Sequence, residues 1–247
     1  MYHRFFLTPD AFVIKSGDTA RFYCNLTDNF LESDAAISPE RIKSCKVSSM
    51  DEEIEIQDFS VKDKSLVFEM SGLKDGSYVI NMALKTRIID LEAERFKSYL
   101  LHENLAGILN LIETQRFHKD IYKEEYTHYA KTILQVGDIK DNLNFFKKPS
   151  GNKIEIIPEI EPMRLKAGDI FVVKVLCEGK PLSFTTISYG SSQYPYTTQT
   201  DENGAAKIKL GSSGKWFIHT IHMIPSKKLP EIDWESFWAT LTFEVRD

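Results

Sequence analysis

Short apolar runs, each cut off by a turn signal, constrain this chain more than any other feature. Lys15–Cys24 reads KSGDTARFYC and Lys166–Val175 reads KAGDIFVVKV, in both cases a Gly-Asp turn opening an apolar run. IEIQDFSV, at Ile54–Val61, alternates apolar and polar residues with period two. KSLVFEMSGLKDGSYVINMAL, at Lys64–Leu84, reads as strand, Asp-Gly turn, strand. Chains that reverse this often leave no room for long helices and must satisfy their backbone groups by lateral pairing. The rhythm predicts antiparallel strands packed as a sandwich.

The pattern changes once and then returns. Leu91, Phe96, Leu100, Leu101, Leu105, Ile108, Leu109 and Ile112 recur at helical spacing, with Asp90 as the expected N-cap and Gly107 as a weak point. A second helical stretch is expected from about Asp120 to Leu134, where Ile121, Tyr122, Tyr126, Tyr129, Ala130 and Ile133 are apolar or aromatic. The apolar stripe of this segment is expected to pack on a sandwich or to fill the space between the two. Lys147–Lys153, KKPSGNK, has the composition of a linker or a loop. From Lys153 the strand rhythm resumes to the end. The expected fold is therefore mainly β: two immunoglobulin-like antiparallel β-sandwich domains with a helical insertion in or after the first. The first domain spans 1–152, with helices at about 90–135, and the second spans 153–247. A fragment 153–247, holding a full set of strands, is expected to fold by itself.

Composition excludes several classes. The 247 residues carry a net charge of −5 with acids and lysines interleaved, which is no footprint for nucleic acid. No apolar run approaches the ~20 residues of a membrane span, and the opening MYHRFFLTPDAF has no apolar signal-peptide region. Cys24, Cys45 and Cys177 fit no zinc pattern; Cys24 and Cys45 can pair if they lie on neighbouring strands, and otherwise all three are small buried hydrophobes. There is no P-loop, no dinucleotide fingerprint and no G-x-S-x-G elbow. No catalytic residue is assigned, and the chain is read as a non-enzyme.

Six blocks carry a family resemblance. HRFFLTPDAFVIKSGD, LEAERFKSYL, YTHYAKTILQVGD, EGKPLSFTTIS, TDENGAAKIKLGSSGKWFIHTIHM and DWESFWATLTFEV occur in this order over nearly the whole chain. In that order they resemble the bacterial DUF4198 family. The resemblance implies an exported protein, periplasmic or secreted. It also implies an accessory of divalent transition-metal uptake, with nickel or cobalt as ligand and a membrane transporter or outer-membrane receptor as partner.

Imidazoles and carboxylates are the ligands such a metal would take. His219 and His222, in GKWFIHTIHM, are three apart, so in a regular strand they point to opposite faces and cannot chelate one ion. Trp216, Ile218, Thr220 and His222 share one face; Phe217, His219 and Ile221 share the other. His219 is expected buried and neutral. His222, at the strand end before an acidic loop carrying Asp233 and Glu235, is the first metal candidate; the plain alternative is a histidine capping a strand. His3 is the second candidate, against a reading as a frayed terminus. His102, His118 and His128 are expected to face solvent. The alternative function is a carbohydrate- or protein-binding sandwich without metal. It would use Tyr194, Tyr196 and Trp234, although aromatics in β-proteins more often fill the core.

Overall fold

The computed structural model describes residues 3–114, 119–138, 144–191 and 195–247. The chain opens with strands β1 (Arg4–Pro9), β2 (Val13–Ile14), β3 (Ala20–Thr27), β4 (Ala35–Ala36) and β5 (Ile42–Ser48). Next come β6 (Glu53–Glu55), β7 (Ser60–Lys62), β8 (Ser65–Met70), β9 (Gly76–Leu84) and β10 (Arg87–Glu92). Helices α1 (Ala93–His102) and α2 (Ala106–Thr114) follow, then β11 (Ile121–Val136). The remainder is β12 (Ile154–Pro158), β13 (Ile170–Cys177), β14 (Lys180–Pro181), β15 (Thr186–Gly190) and β16 (Tyr196–Gln199). The last three strands are β17 (Ala205–Lys209), β18 (Gly214–Pro225) and β19 (Trp234–Val245). The protein is mainly β, and among the described residues no helix is long and apolar enough to cross a membrane.

Three sheets form. A first sheet runs β1-β3-β8-β7, with β4 on β3; a third runs β12-β13-β14, with β17 on β13. Between them a central sheet runs β16-β15-β18-β19-β11-β9-β5-β6, with β10 and β2 on β11. Adjacent positions of β11 show how the layers stack: Leu134 joins a core with Phe22 and Phe68 of the first sheet, and Ile133 joins a core with Val173 and Val175 of the third. Successive side chains of a strand point to opposite faces, so the first and third sheets lie on opposite faces of the central one. Pairing is antiparallel except where β11 meets β2 and β19, a departure from the all-antiparallel expectation.

One element differs from its expected type. Asp120–Leu134 does not form a second helix; it belongs to the 16-residue strand β11, so the helices end at Thr114. Its start alternates, with Tyr122 and Glu124 buried between exposed Ile121 and Lys123. Its second half is covered on both faces and loses the alternation, which makes its apolar spacing mimic a helix. Threonine, tyrosine and isoleucine favour the pleated form here. The helices therefore connect β10 to β11, two antiparallel neighbours. Asp90 lies within β10, and the N-cap is Glu92. The chain breaks between the helices at Asn104, which adopts φ 59°, rather than at Gly107. Phe96, Tyr99, Leu100 and Ile112 pack on Ile221, Met223, Trp234 and Trp238 of the central sheet, each burial worth roughly 1.5–3 kcal/mol.

The segment before β12 is pinned. The Glu155 carboxylate accepts hydrogen bonds from the backbone N–H groups of Ser150 (2.8 Å), Gly151 (2.7 Å) and Asn152 (3.0 Å). The three cysteines are free thiols. Because β19 pairs with β11 over Glu124–Thr132, both parts of the chain share one sheet. A fragment 153–247 would bare Phe217, Ile221, Met223, Trp234 and Trp238, which α1, α2 and β1 cover in the whole chain. Exposed patches of that kind drive association. The expected result is thus a fragment that aggregates; a monomeric gel-filtration peak with a dispersed NMR spectrum would contradict it.

Candidate functional site

The residues singled out in the sequence lie apart. His222 is half-buried, opposite Phe237 and on the face towards the third sheet; burial, and then Lys153, lower its pKa. Asp233 accepts from the Lys119 ammonium and, at 2.9 Å, from the Lys123 backbone N–H. Glu235 accepts from the Ser226 hydroxyl at 2.9 Å. Both carboxylates thus serve the β18–β19 turn. His3 Nδ1 sits 3.4 Å from Asp34 Oδ2 and 3.7 Å from Asp28 Oδ1. Among the described residues, no three His, Cys, Asp or Glu side chains are grouped so that they could hold a metal ion. Tyr196 is exposed on edge strand β16, its ring 5.8 Å from that of Tyr189. Trp234 is 4% exposed and belongs to the core beneath the helices. Tyr194 and His118 lie outside the described residues.

A buried polar cluster that the sequence did not reveal lies under the end of α1. Its position is set by β1, whose Phe5 and Leu7 carbonyls accept hydrogen bonds from the Thr240 (2.6 Å) and Thr242 (2.5 Å) hydroxyls of β19. That anchoring puts Arg4 beside Glu103, just past α1. Both residues are 4% exposed, and Arg4 Nη2 donates to the two carboxylate oxygens at 3.3 and 3.4 Å. His219 Nδ1 lies 3.8 Å from Glu103 Oε2, and His102 Nε2 lies 3.5 Å from Glu103 Oε1. The fate of His128 differs most from expectation. It is 5% exposed, because β11 is a strand and its even-numbered positions here face the helices and the first sheet.

Trp238 stands between the two buried imidazoles, its ring 5.0 Å from His128 and 5.5 Å from His219. Burial lowers the His128 pKa to about 3, with Arg41 and His3 adding to the effect. Burial also takes His219 well below the ordinary value, helped by Arg4, His128 and His102. Both rings are therefore neutral at physiological pH, and the His219–Glu103 approach is not an ion pair. Burial raises the Glu103 pKa, against the opposing pull of Arg4 and His102.

A second carboxylate is buried further along the same face. Glu124, 1% exposed, accepts from Tyr99 Oη at 3.0 Å and from the Ser236 hydroxyl, which itself accepts from Trp238 Nε1 at 2.9 Å. Burial raises its pKa to about 7, although both hydrogen bonds pull the other way.

A cleft of ≈ 440 Å³ opens over Arg4. Its walls are Asp28 and Asn29 after β3, His102 and Asn104 at the end of α1, and Pro195 and Thr197 beside β16. Arg4 Nε and Asp28 Oδ1 are buried without a hydrogen-bond partner, as are His128 Nδ1 and His219 Nε2 behind them. Buried polar groups are nearly always satisfied, and clustered exceptions mark functional sites. Donors and acceptors of both signs around one small volume suit the recognition of a polar ligand. No local sequence pattern announces this cluster, since Arg4, Glu103, His128 and His219 come from four distant segments.

Residues 3–224 match the family described as "Domain of unknown function (DUF4198)". Similar solved structures include the D0-D1 domain of intimin, 13% identical, covering 96% of this chain and 96% of that one, with a TM-score of 0.23. The fibronectin(III)-like modules of Clostridium thermocellum CbhA are 7% identical over 97% of this chain and 94% of that one, with a TM-score of 0.23. A DUF4785 family protein from Legionella pneumophila is 10% identical over 87% of this chain and 50% of that one, with a TM-score of 0.26. No curated protein matches the chain.

Proposed function

The chain belongs to the DUF4198 family, and on that premise we propose that it is an exported, non-catalytic binding protein whose ligand sits over Arg4 and Glu103. The observation that carries this reading is the buried Arg4–Glu103 pair under an open cleft, with hydrogen-bonding capacity left over on Arg4 and Asp28. A buried ion pair is weak evidence for stability, because desolvation offsets its attraction. Arg4, the member of the pair that lines the cleft, with Glu103 buried behind it, favours recognition of a small polar ligand there. A membrane transporter or an outer-membrane receptor is the partner to which such a protein would deliver.

The test is calorimetry and thermal shift with a panel of amino acids and small carboxylates. It compares the wild type with the double variant Arg4→Met/Glu103→Leu, which removes both charges and strands neither. The expected result is a saturable ligand for the wild type and none for a folded double variant. Equal binding by both, or no binder in the panel, would defeat the cleft.

A second reading, divalent nickel or cobalt, rests on the family resemblance, with the His3 imidazole 3.4 and 3.7 Å from the Asp34 and Asp28 carboxylates but the three not grouped so that they could hold a metal ion. Titration with nickel chloride and cobalt chloride decides it. Binding abolished by His3→Ala places the ion at the amino-terminal cluster, binding abolished by His222→Ala places it at the strand end, and no heat from either salt removes the metal reading.

A further inference from the structure

The central sheet carries a second pocket, on the face opposite Arg4. Cys45 and Val47 of β5 point into the core with the first sheet, so Ser44, Lys46 and Ser48 point the other way. They stay half-buried or exposed, because the third sheet does not extend over them. Val79 and Asn81 of β9 continue this floor, and the 145–152 segment forms a wall. The pocket is open to solvent and has a volume of ≈ 200 Å³, the scale of one pyranose ring.

The wall is built rather than loose. The Glu155 carboxylate holds three successive backbone N–H groups and the Ser150 hydroxyl (2.5 Å), and from behind it accepts the buried Lys131 ammonium at 3.1 Å. Ser150 Oγ also lies 3.1 Å from Asn81 Oδ1, which brings the wall against the floor. Sites held this way lose little entropy when a ligand docks. Hydroxyl and amide side chains from Ser44, Ser48, Asn81, Ser150 and Asn152 line the pocket together with Lys46, Glu53 and Lys148, beside the half-buried ring of Phe145. Lys46 donates to Glu53 at 2.7 Å, Glu53 also accepts from the Ser48 hydroxyl at 3.2 Å, and the Lys148 ammonium sits 5.9 Å from the Phe145 ring centroid. The lining carries two lysines and one glutamate, so an anion is the competing occupant.

We propose that this pocket binds one ring of a neutral saccharide, with Ser48 and Asn152 bonding its hydroxyls and Phe145 meeting its C–H face. Floor hydroxyls and amides in fixed positions match the alternating donors and acceptors of a sugar. An aromatic ring face matches its apolar C–H patch. This site does not depend on the Arg4 cleft, and the two proposals fail separately.

The experiment is an NMR titration of the full chain, monitoring backbone amides. The probes are maltotriose, cellotriose and diacetylchitobiose, with inorganic phosphate as the anionic arm. The expected result is that at least one sugar shifts Ser44, Ser48 and Asn152 saturably. Asn152→Ala and Ser48→Ala should each weaken binding by roughly fivefold, the scale of one neutral hydrogen bond, with unchanged melting temperatures. The proposal is overturned by no saturable shift from any of the three sugars, by shifts confined to the Arg4 side, by phosphate binding more tightly than the sugars, or by variants that bind as wild type does.

Discussion

Glu155→Ala is expected to lower stability by about 3–5 kcal/mol, the cost of leaving a buried charge uncompensated. Its partner Lys131 is 3% exposed, and burial lowers the lysine pKa in spite of Glu155. Glu155 behaves in the opposite way: burial alone pushes its pKa up, but Lys131 and the Ser150 donors outweigh burial and hold it below the ordinary value. The carboxylate is therefore charged and heavily solvated by protein groups, and alanine supplies none of this. An exposed pair such as Lys46–Glu53, with side chains 48% and 55% accessible, gives a useful contrast; removing it should leave stability close to that of the wild type. Urea unfolding of the two variants makes the comparison. The double variant Lys131→Met/Glu155→Leu should recover part of the loss, because no charge is stranded, but not the part that comes from freeing residues 150–152. A Glu155→Ala variant within about 1 kcal/mol of wild type would mean that water reaches Lys131 and that the pair is not truly interior.

The second large effect has the opposite sign. Glu124→Gln should stabilise the protein, and more so as pH rises. In the folded chain the Glu124 pKa stands at about 7, against an ordinary value of 4.5. A carboxyl with a raised folded pKa binds more protons in the folded state, so its contribution to stability falls as pH climbs from about 4.5 to about 7 and is flat above that. At about 1.4 kcal/mol per pH unit, the full cost is roughly 3 kcal/mol. Glutamine keeps an oxygen for Tyr99 and Ser236 and has no charge to bury. His128 and His219, whose folded pKa values are lowered, tilt stability the other way in acid, since the folded state resists protonating them. They are common to both proteins, so the difference between wild type and variant isolates Glu124. Denaturant melts at pH 5 and pH 8.5 should show a small difference at the lower pH and the full one at the higher. A variant less stable than wild type at pH 8.5 would mean that the Glu124 charge itself holds Tyr99 and α1 in place.

Some of the architecture was legible because its causes are local. Strand-and-turn rhythm follows from residues a few positions apart, so the mainly β class and the helix around Phe96 and Leu100 could be read directly. Parity within a strand is equally local. It separated His219 from His222 and made His219 buried, as the structure has it. Even here a limit showed. Parity says that two side chains share a face, not what covers it, and Asp233 and Glu235 proved to be engaged with Lys119 and Ser226 rather than with His222.

The rest depends on pairings between distant segments. The type of β11 is settled by burial on both faces: between the first and third sheets it carries apolar residues at nearly every position, and its period-two signal fades into something helical. Its parallel pairing with β19 joins residues about a hundred positions apart, which no periodicity encodes. The same pairing creates the candidate site, because it brings His128 and Trp238 side by side and lets β1 lay Arg4 against Glu103. By itself, then, the sequence determined which stretches can be strands, where the chain turns and which side chains share a face, since these depend on spacing along one segment. The tertiary structure alone decided which strands meet, and so which polar groups are buried together, because burial is a property of what covers a face.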